Sequence, residues 1–174
     1  MSMNVQFLNP FLEAANEVLK AEIGVEVQRG EISLQRSALT ANEVTVLLSM
    51  IGQLQGVVLY GMSKATACML VSKMMGETIT ELDSLATSGV AELGNVLTGR
   101  ATIKLSEIGL QTDISPPTVI VGAGITVSTL DFPRLVVPIR FGEHELEAHL
   151  ALRLAEPTNN QTHVPLVRGL GARA

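Results

Sequence analysis

The chain has 174 residues, with 12 Lys and Arg against 17 Asp and Glu, a net charge of −5 at neutral pH. Hydrophobic residues make up 47% and charged ones 17%, which excludes a disordered chain. The acidic balance and the lack of any Lys/Arg cluster argue against nucleic acid and anionic membrane as partners, because either needs a basic patch.

The length suits one domain with a sizeable core. Four Phe, one Tyr and no Trp leave that core to Leu, Ile, Val, Ala and Met. No apolar run approaches the roughly 20 residues that span a bilayer. The N-terminal stretch MSMNVQFLNPFLEAANEV lacks a basic region followed by a long apolar one, so no signal peptide is expected. A single cysteine, Cys68, excludes an internal disulfide and fits a reducing, cytoplasmic setting. Its neighbours, KATACMLVSKMM, give it the place of a small buried apolar residue.

Residues 4–22 are predicted to form a first helix, since Phe7, Phe11, Leu12, Ala15, Val18 and Leu19 recur at helical spacing. Pro10 puts the start of the helix proper near Asn9, with the proline at its first position, and Gly24 ends it. Val25–Arg36 alternates like a strand, with a change of parity at Gly30 that marks a bulge or turn. Val44, Val46, Leu48 and Met50 alternate cleanly. After Gly52-Gln53-Leu54-Gln55, the run Gly56–Gly61 reads as the second, nearly all-apolar strand of a hairpin. Ser63 opens a short helix, Lys64–Met75, closed by Gly76. The methionines gathered here (Met62, Met69, Met74, Met75) are adaptable core filling.

The long helix that follows organises the chain. It reads TELDSLATSGVAELGNVLTGRATIKL over Thr80–Leu105, with Thr80 as N-cap and Asp83 three residues on. At about 100° per residue, Leu82, Ala86, Val90, Leu93, Leu97 and Ala101 form an apolar stripe for a core. On the other side stand Ser84, Ser88, Glu92, Asn95, Gly99 and Thr102, with Ser88, Glu92, Asn95 and Gly99 within about 60° of one another. Leu85, Val96 and Ile103 add a second apolar strip about 20–40° from Glu92. Gly89 and Gly94 lie inside the helix, each costing about 1 kcal/mol relative to alanine. Spacing favours tight packing of helix on sheet as their reason, over close approach of a partner protein. Glu-x-x-Asn by itself is an ordinary solvated pair.

Beyond the helix the chain returns to strands: Gln111–Ile114, Thr118–Val121 after the break Ser115-Pro116-Pro117, and Ile125–Thr129 after the turn Gly122-Ala123-Gly124. Arg134–Phe141 and Glu145–Leu154 read as a hairpin across Gly142-Glu143-His144. Pro138 lacks an amide hydrogen, so its strand lies at an edge or is locally irregular. Residues 155–174 are polar and Gly/Pro-rich, expected as a mobile tail. Helices enclosed by strands without regular alternation point to α+β, a mostly antiparallel sheet packed against one long and two shorter helices, in a single domain over residues 1–154.

Other chemistries fare poorly. Glu145, Glu147 and His149 share one strand face, read as a solvated face, and no zinc-type spacing exists with His144 or with His163 in the tail. Gly122-Ala123-Gly124 has no strand–loop–helix setting for a phosphate, and there is no Gly-x-Ser-x-Gly elbow for a serine nucleophile.

Against that background the run Ser88-x-x-x-Glu92-x-x-Asn95, continuing Val96-Leu97-x-Gly99, resembles the signature of the CheC/CheX family of chemotaxis phosphatases. Asn9-Pro10-Phe11, Gly56-Val57-Val58-Leu59 and Ser115-Pro116-Pro117 with Gly122 fall where that family has such elements. One motif, not two, makes the chain similar to the CheX branch. The resemblance covers roughly residues 4–154 and implies hydrolysis of the phosphoaspartate of a phosphorylated CheY-like response regulator. Asn95 then orients the attacking water, Glu92 pairs with a partner lysine, and Ser88 and Gly99 belong to the docking face. The resemblance further implies that no cofactor is bound by this chain and that the Mg²⁺ belongs to the partner. The family also implies a homodimer. A different class remains open beside it, a non-catalytic module that docks a regulator or flagellar-switch component without hydrolysis.

Overall fold

The computed structural model describes residues 7–36, 39–129 and 133–156. Over these residues the backbone is a mainly antiparallel sheet with three α-helices packed into one core with it. The element order is α1 (Leu8–Val18), β1 (Gln28–Arg29), β2 (Ser33–Gln35), β3 (Leu39–Thr40), β4 (Val44–Gly52), β5 (Leu54–Met62), α2 (Lys64–Met75), α3 (Ser84–Glu107), β6 (Thr112–Ile114), β7 (Thr118–Val121), β8 (Thr126–Val127), β9 (Arg134–Phe141) and β10 (His144–Leu154). The main sheet runs β1-β9-β10-β5-β4-β6, with β2 also on β9 and β7 also on β4, while β3 and β8 pair separately. Both the α+β class and the antiparallel sheet are as the sequence leads one to expect.

The long strands are where alternation was cleanest. Val44, Val46, Leu48 and Met50 are all buried. Across the sheet Val46 stands opposite Tyr60, Tyr60 opposite Ala148, and Ala148 opposite Val137. All four point into the core shared with the helices. From α3 that core receives Val90, Leu93, Leu97, Ala101 and Leu105, from α2 Ala67, Leu70 and Val71, and from α1 Leu8, Phe11, Ala15 and Val18. Fully burying one such Leu or Val contributes about 1.5–3 kcal/mol.

Helix ends show what sequence reading could and could not place. α2 agrees with expectation at both ends: the Ser63 side chain accepts from the Thr66 amide, and Gly76 closes the helix in the left-handed region at φ 69°, where a side chain is penalised. α3 does not start at Thr80. Its N-cap is Asp83, whose Oδ1 accepts from the Ala86 amide at 2.8 Å. A carboxylate is a good cap and also suits the positive end of the helix dipole. Residues 80–82 belong to a connection from α2, which Ser72 ties down by accepting from the Ile79 amide at 2.8 Å.

α1 begins at Leu8 rather than Asn9, with Phe7 as an N-cap that supplies no side-chain bond. Pro10 is its third residue, still among the first four amides that have no intrahelical acceptor, so the ring costs no hydrogen bond. Residues 4–6 of the expected helix lie outside the described residues. The helix ends in a π-helical turn, Leu19–Ile23, and Gly24 caps it at φ 67°.

The strand expected over Val25–Arg36 is two short ones on the outer side of β9. Gly30 sits in the break and donates its amide to the Pro138 carbonyl at 2.8 Å. Pro138 thus lies where the outer pairing is irregular. The expected strand Ile125–Thr129 shrinks to Thr126–Val127, paired with Leu39–Thr40. His144, placed by sequence in the last turn, is the first residue of β10, and Gly142 and Glu143 alone make that turn. Of the expected tail, residues 157–174 lie outside the described residues.

α3 lies on the sheet at a closeness that only glycine permits. A Cβ on Gly94 would stand 2.7 Å from Val46 Cγ1, and one on Gly89 2.7 Å from Val71 Cγ1 on α2. A Cβ on Gly99 would meet nothing within 4 Å. Gly99→Ala is therefore expected to raise the unfolding free energy by about 1 kcal/mol through helix propensity. Gly94→Ala gains the same propensity but lowers stability overall, because overpacking against a stiff β-branched neighbour costs about 1–3 kcal/mol. Thermal or denaturant melts of the two variants check this, and equal gains from both would remove close packing as the reason for Gly94.

Candidate functional site

α3 is buried along Ala86, Val90, Leu93, Leu97, Ala101 and Leu105, so its outward side is fixed by subtraction. Glu92 and Ser88 are exposed there, and Asn95 and Gly99 are half-buried. Glu92 and Asn95 are three residues apart, about 60° and one turn on the same face. Ser88 is turned back on its own helix, its hydroxyl donating to the Ser84 carbonyl at 2.9 Å. Leu85 is 49% and Ile103 51% exposed, with Val96 half-buried between them. The outward side is thus a polar pair edged by unburied aliphatic side chains.

Neither the Glu92 nor the Asn95 side chain has a hydrogen bond or ion pair among the described residues. Such a pair adds nothing evident to stability, yet it is held on a rigid element. The mounting beneath it was not apparent from sequence. Tyr60 on β5 and Thr98 on α3 are both buried, and their hydroxyl oxygens lie 3.1 Å apart. The Thr98 hydroxyl has one proton and donates it to the Gly94 carbonyl at 2.8 Å. Tyr60 must then be the donor to Thr98. Burial pushes the Tyr60 phenol well above its usual pKa, against a smaller lowering by the bond to Thr98, so the phenol keeps its proton. A lone tyrosine inside the run Val57-Val58-Leu59-Tyr60 was the available signal, since a buried phenol seeks a partner.

The acidic and histidine residues of β10 are placed differently from expectation. The face carrying Glu145, Glu147 and His149 is not simply solvated: His149 is 1% exposed, opposite Leu59 at 0% on β5. Val58 and Leu59 are adjacent on β5 and so face opposite sides of the sheet, and both are 0% exposed, so both faces are covered there. His149 Nε2 stands 3.5 Å from Glu147 Oε2, which also accepts from Asn42 Nδ2 at 3.3 Å. The His149 ring beside it, and to a lesser degree Asn42 and Arg134, hold the Glu147 carboxyl below its usual pKa against the opposing effect of burial. His144 faces the start of α2, with Nδ1 3.2 Å from Thr66 Oγ1. Among the described residues no group of three or more His, Cys, Asp or Glu is gathered as a metal site; His163 lies outside them. Among those same residues no helix is long and apolar enough to cross a membrane.

Residues 44–140 match the family described as chemotaxis phosphatase CheX. The chain belongs to that family. The matched stretch contains the whole of α3 and so Ser88, Glu92, Asn95 and Gly99. The CheY-P phosphatase CheX of Thermotoga maritima is 29% identical over 153 residues, 87% of this chain and 98% of that one. A CheC-like superfamily protein from Shewanella sp. PV-4 superposes with a TM-score of 0.79 at 29% identity, over 87% of this chain and 99% of that one. The CheX–CheY–BeF3–Mg²⁺ complex from Borrelia burgdorferi superposes with a TM-score of 0.74 at 25% identity, over 86% of this chain and 99% of the matched one.

Because the Glu92 and Asn95 side chains have no polar partner among the described residues, Glu92→Ala and Asn95→Ala are each expected to change the unfolding free energy by no more than about 0.5 kcal/mol. Melting curves check this. A loss several times larger from either would mean that the pair serves the fold.

Proposed function

We infer that this chain is a phosphatase that hydrolyses the phosphoaspartate of a CheY-like response regulator. The observation that carries the reading is the outward Glu92–Asn95 pair, without side-chain partners among the described residues, on the long helix of a CheX-family chain.

The reaction needs little from this protein beyond placement. Water attacks phosphorus, the bond from phosphorus to the aspartyl oxygen breaks, and the carboxylate leaves with the electron pair. The water proton ends on phosphate or in solvent. Phosphoryl transfer depends mainly on positioning and on stabilising charge. The Mg²⁺ that neutralises the phosphoryl oxygens is the partner's, in keeping with the CheX–CheY–BeF3–Mg²⁺ complex of the Borrelia relative. The Asn95 carboxamide oxygen accepts a hydrogen bond from the water and sets its lone pair in line with the breaking bond. Glu92 pairs with the regulator's lysine and fixes the angle at which α3 enters. Ser88 and Gly99 lie in the docking face, where the open space over Gly99 suits close approach of another backbone. Leu85 and Ile103, both about half exposed, supply apolar contact around the polar pair. Residues 1–154 act as one unit, working as a homodimer in the cytoplasm.

A non-catalytic docking module is the competing reading, and turnover separates the two. Phosphate release from a phosphorylated CheY-like regulator with Mg²⁺ is expected to be accelerated by the wild-type chain. Asn95→Ala should lose that acceleration, at least about 100-fold, while still binding the regulator. Glu92→Ala should weaken both binding and rate. Equal rates for wild type and Asn95→Ala would remove Asn95 from the mechanism. Binding with no acceleration by the wild type would leave a docking module.

A further inference from the structure

The aim of Asn95 is set from below, since its side chain has no polar partner among the described residues. Whatever fixes the backbone around residue 95 fixes the direction of the carboxamide. The structure supplies a specific device there. Gly94, the residue immediately before Asn95, is pressed on the sheet at Val46, and its carbonyl accepts from Thr98 at 2.8 Å. Thr98, one turn after Asn95, is fully buried and bonded in turn to Tyr60 on β5. The two residues that bracket Asn95 toward the sheet are thus joined to each other and anchored to one strand.

We propose that Tyr60 and Thr98 are positioning residues for the dephosphorylation reaction: the hydrogen-bond chain from the Tyr60 hydroxyl through Thr98 to the Gly94 carbonyl locks the rotation and height of α3 at Asn95. The proposal rests on Asn95 being the residue that steers water. Apolar packing along Leu93 and Leu97 holds α3 on the sheet, but such contacts are non-directional. A hydrogen bond has a narrow range of distance and angle, and so selects one setting of the helix among those the apolar stripe tolerates. A Thr side chain bonded to the carbonyl four residues back also bends a helix slightly, so the same bond shapes the segment that carries the carboxamide. Small errors suffice to matter, because a shift of about 1 Å in a positioned group can cost about 100-fold in rate.

The chemistry of the three residues defines the test. Tyr60→Phe removes the donor and keeps the ring. Thr98→Val removes both bonds and keeps the shape, and Thr98→Ser keeps both bonds with a smaller side chain. Steady-state hydrolysis of a phosphorylated CheY-like regulator is measured for each, with Asn95→Ala alongside, below the melting midpoint of every variant. Tyr60→Phe and Thr98→Val are expected to lower kcat about tenfold with KM within twofold of wild type, as an uncorrected fraction of a 1 Å shift requires. Thr98→Ser is expected to stay near wild type. The proposal is overturned if folded Tyr60→Phe and Thr98→Val keep kcat within twofold. It is overturned equally if their loss lies in KM, or if Thr98→Ser falls as far as Thr98→Val. Should Asn95→Ala itself turn over like wild type, the water-steering reading fails on its own, whatever the other variants do, and the positioning role falls with it.

Discussion

The seating of α3 on the sheet is the constraint from which the rest follows. Gly94 lies so near Val46 that a methyl group does not fit between them, and this sets the depth of the helix. Leu93, Leu97 and Ala101 then fill the core beneath it, and Glu92 and Asn95 are left outside by geometry alone. A larger residue at 94 would lift the helix off β4 and move the pair with it. Fold and site are therefore one problem: the interactions that bury one side of α3 are those that present the other.

Rigidity is what this arrangement adds to the chemistry. The helix is 24 residues long, capped by Asp83, packed against α1, α2 and β4, and bonded to β5 through Tyr60. Lys104 near its far end holds α1 through Glu17 at 2.5 Å and Glu13 at 3.4 Å. On the proposed reading, a carboxamide on such a support acts as a fixed template for one water molecule, and the regulator brings the acyl phosphate, the cation and the lysine.

How legible was this in the sequence? The apolar stripe of α3 from Ala86 to Ala101, though not Leu82 ahead of the helix, and the alternation of Val44, Val46, Leu48 and Met50 are legible, because each reflects a single buried face with a regular period. The ends of α2 were equally plain, since Ser63 and Gly76 act locally. The start of α3 was misplaced at Thr80 because Thr80 and Asp83 are both good caps. The choice between them is tertiary, made by the connection that Ser72 anchors to Ile79. The burial of His149 is not evident from its own strand, which alternates like one with a solvated face; the signal lies in the all-apolar β5 beside it, where Leu59 on the same face is also buried. At the site, Glu92 and Asn95 were singled out through family resemblance rather than spacing. The Tyr60–Thr98 bond joins residues 38 apart in sequence, which no local pattern reveals.

The most direct test of the central claim is a crystal structure of this chain bound to a CheY-like regulator loaded with beryllofluoride and Mg²⁺, at a resolution that shows ordered water. The account predicts a water in line with the aspartyl oxygen–beryllium bond, held by the Asn95 carboxamide oxygen at about 3 Å, with Glu92 on the regulator's lysine. A complex in which α3 faces away from the beryllofluoride, or in which another residue holds that water, would contradict it.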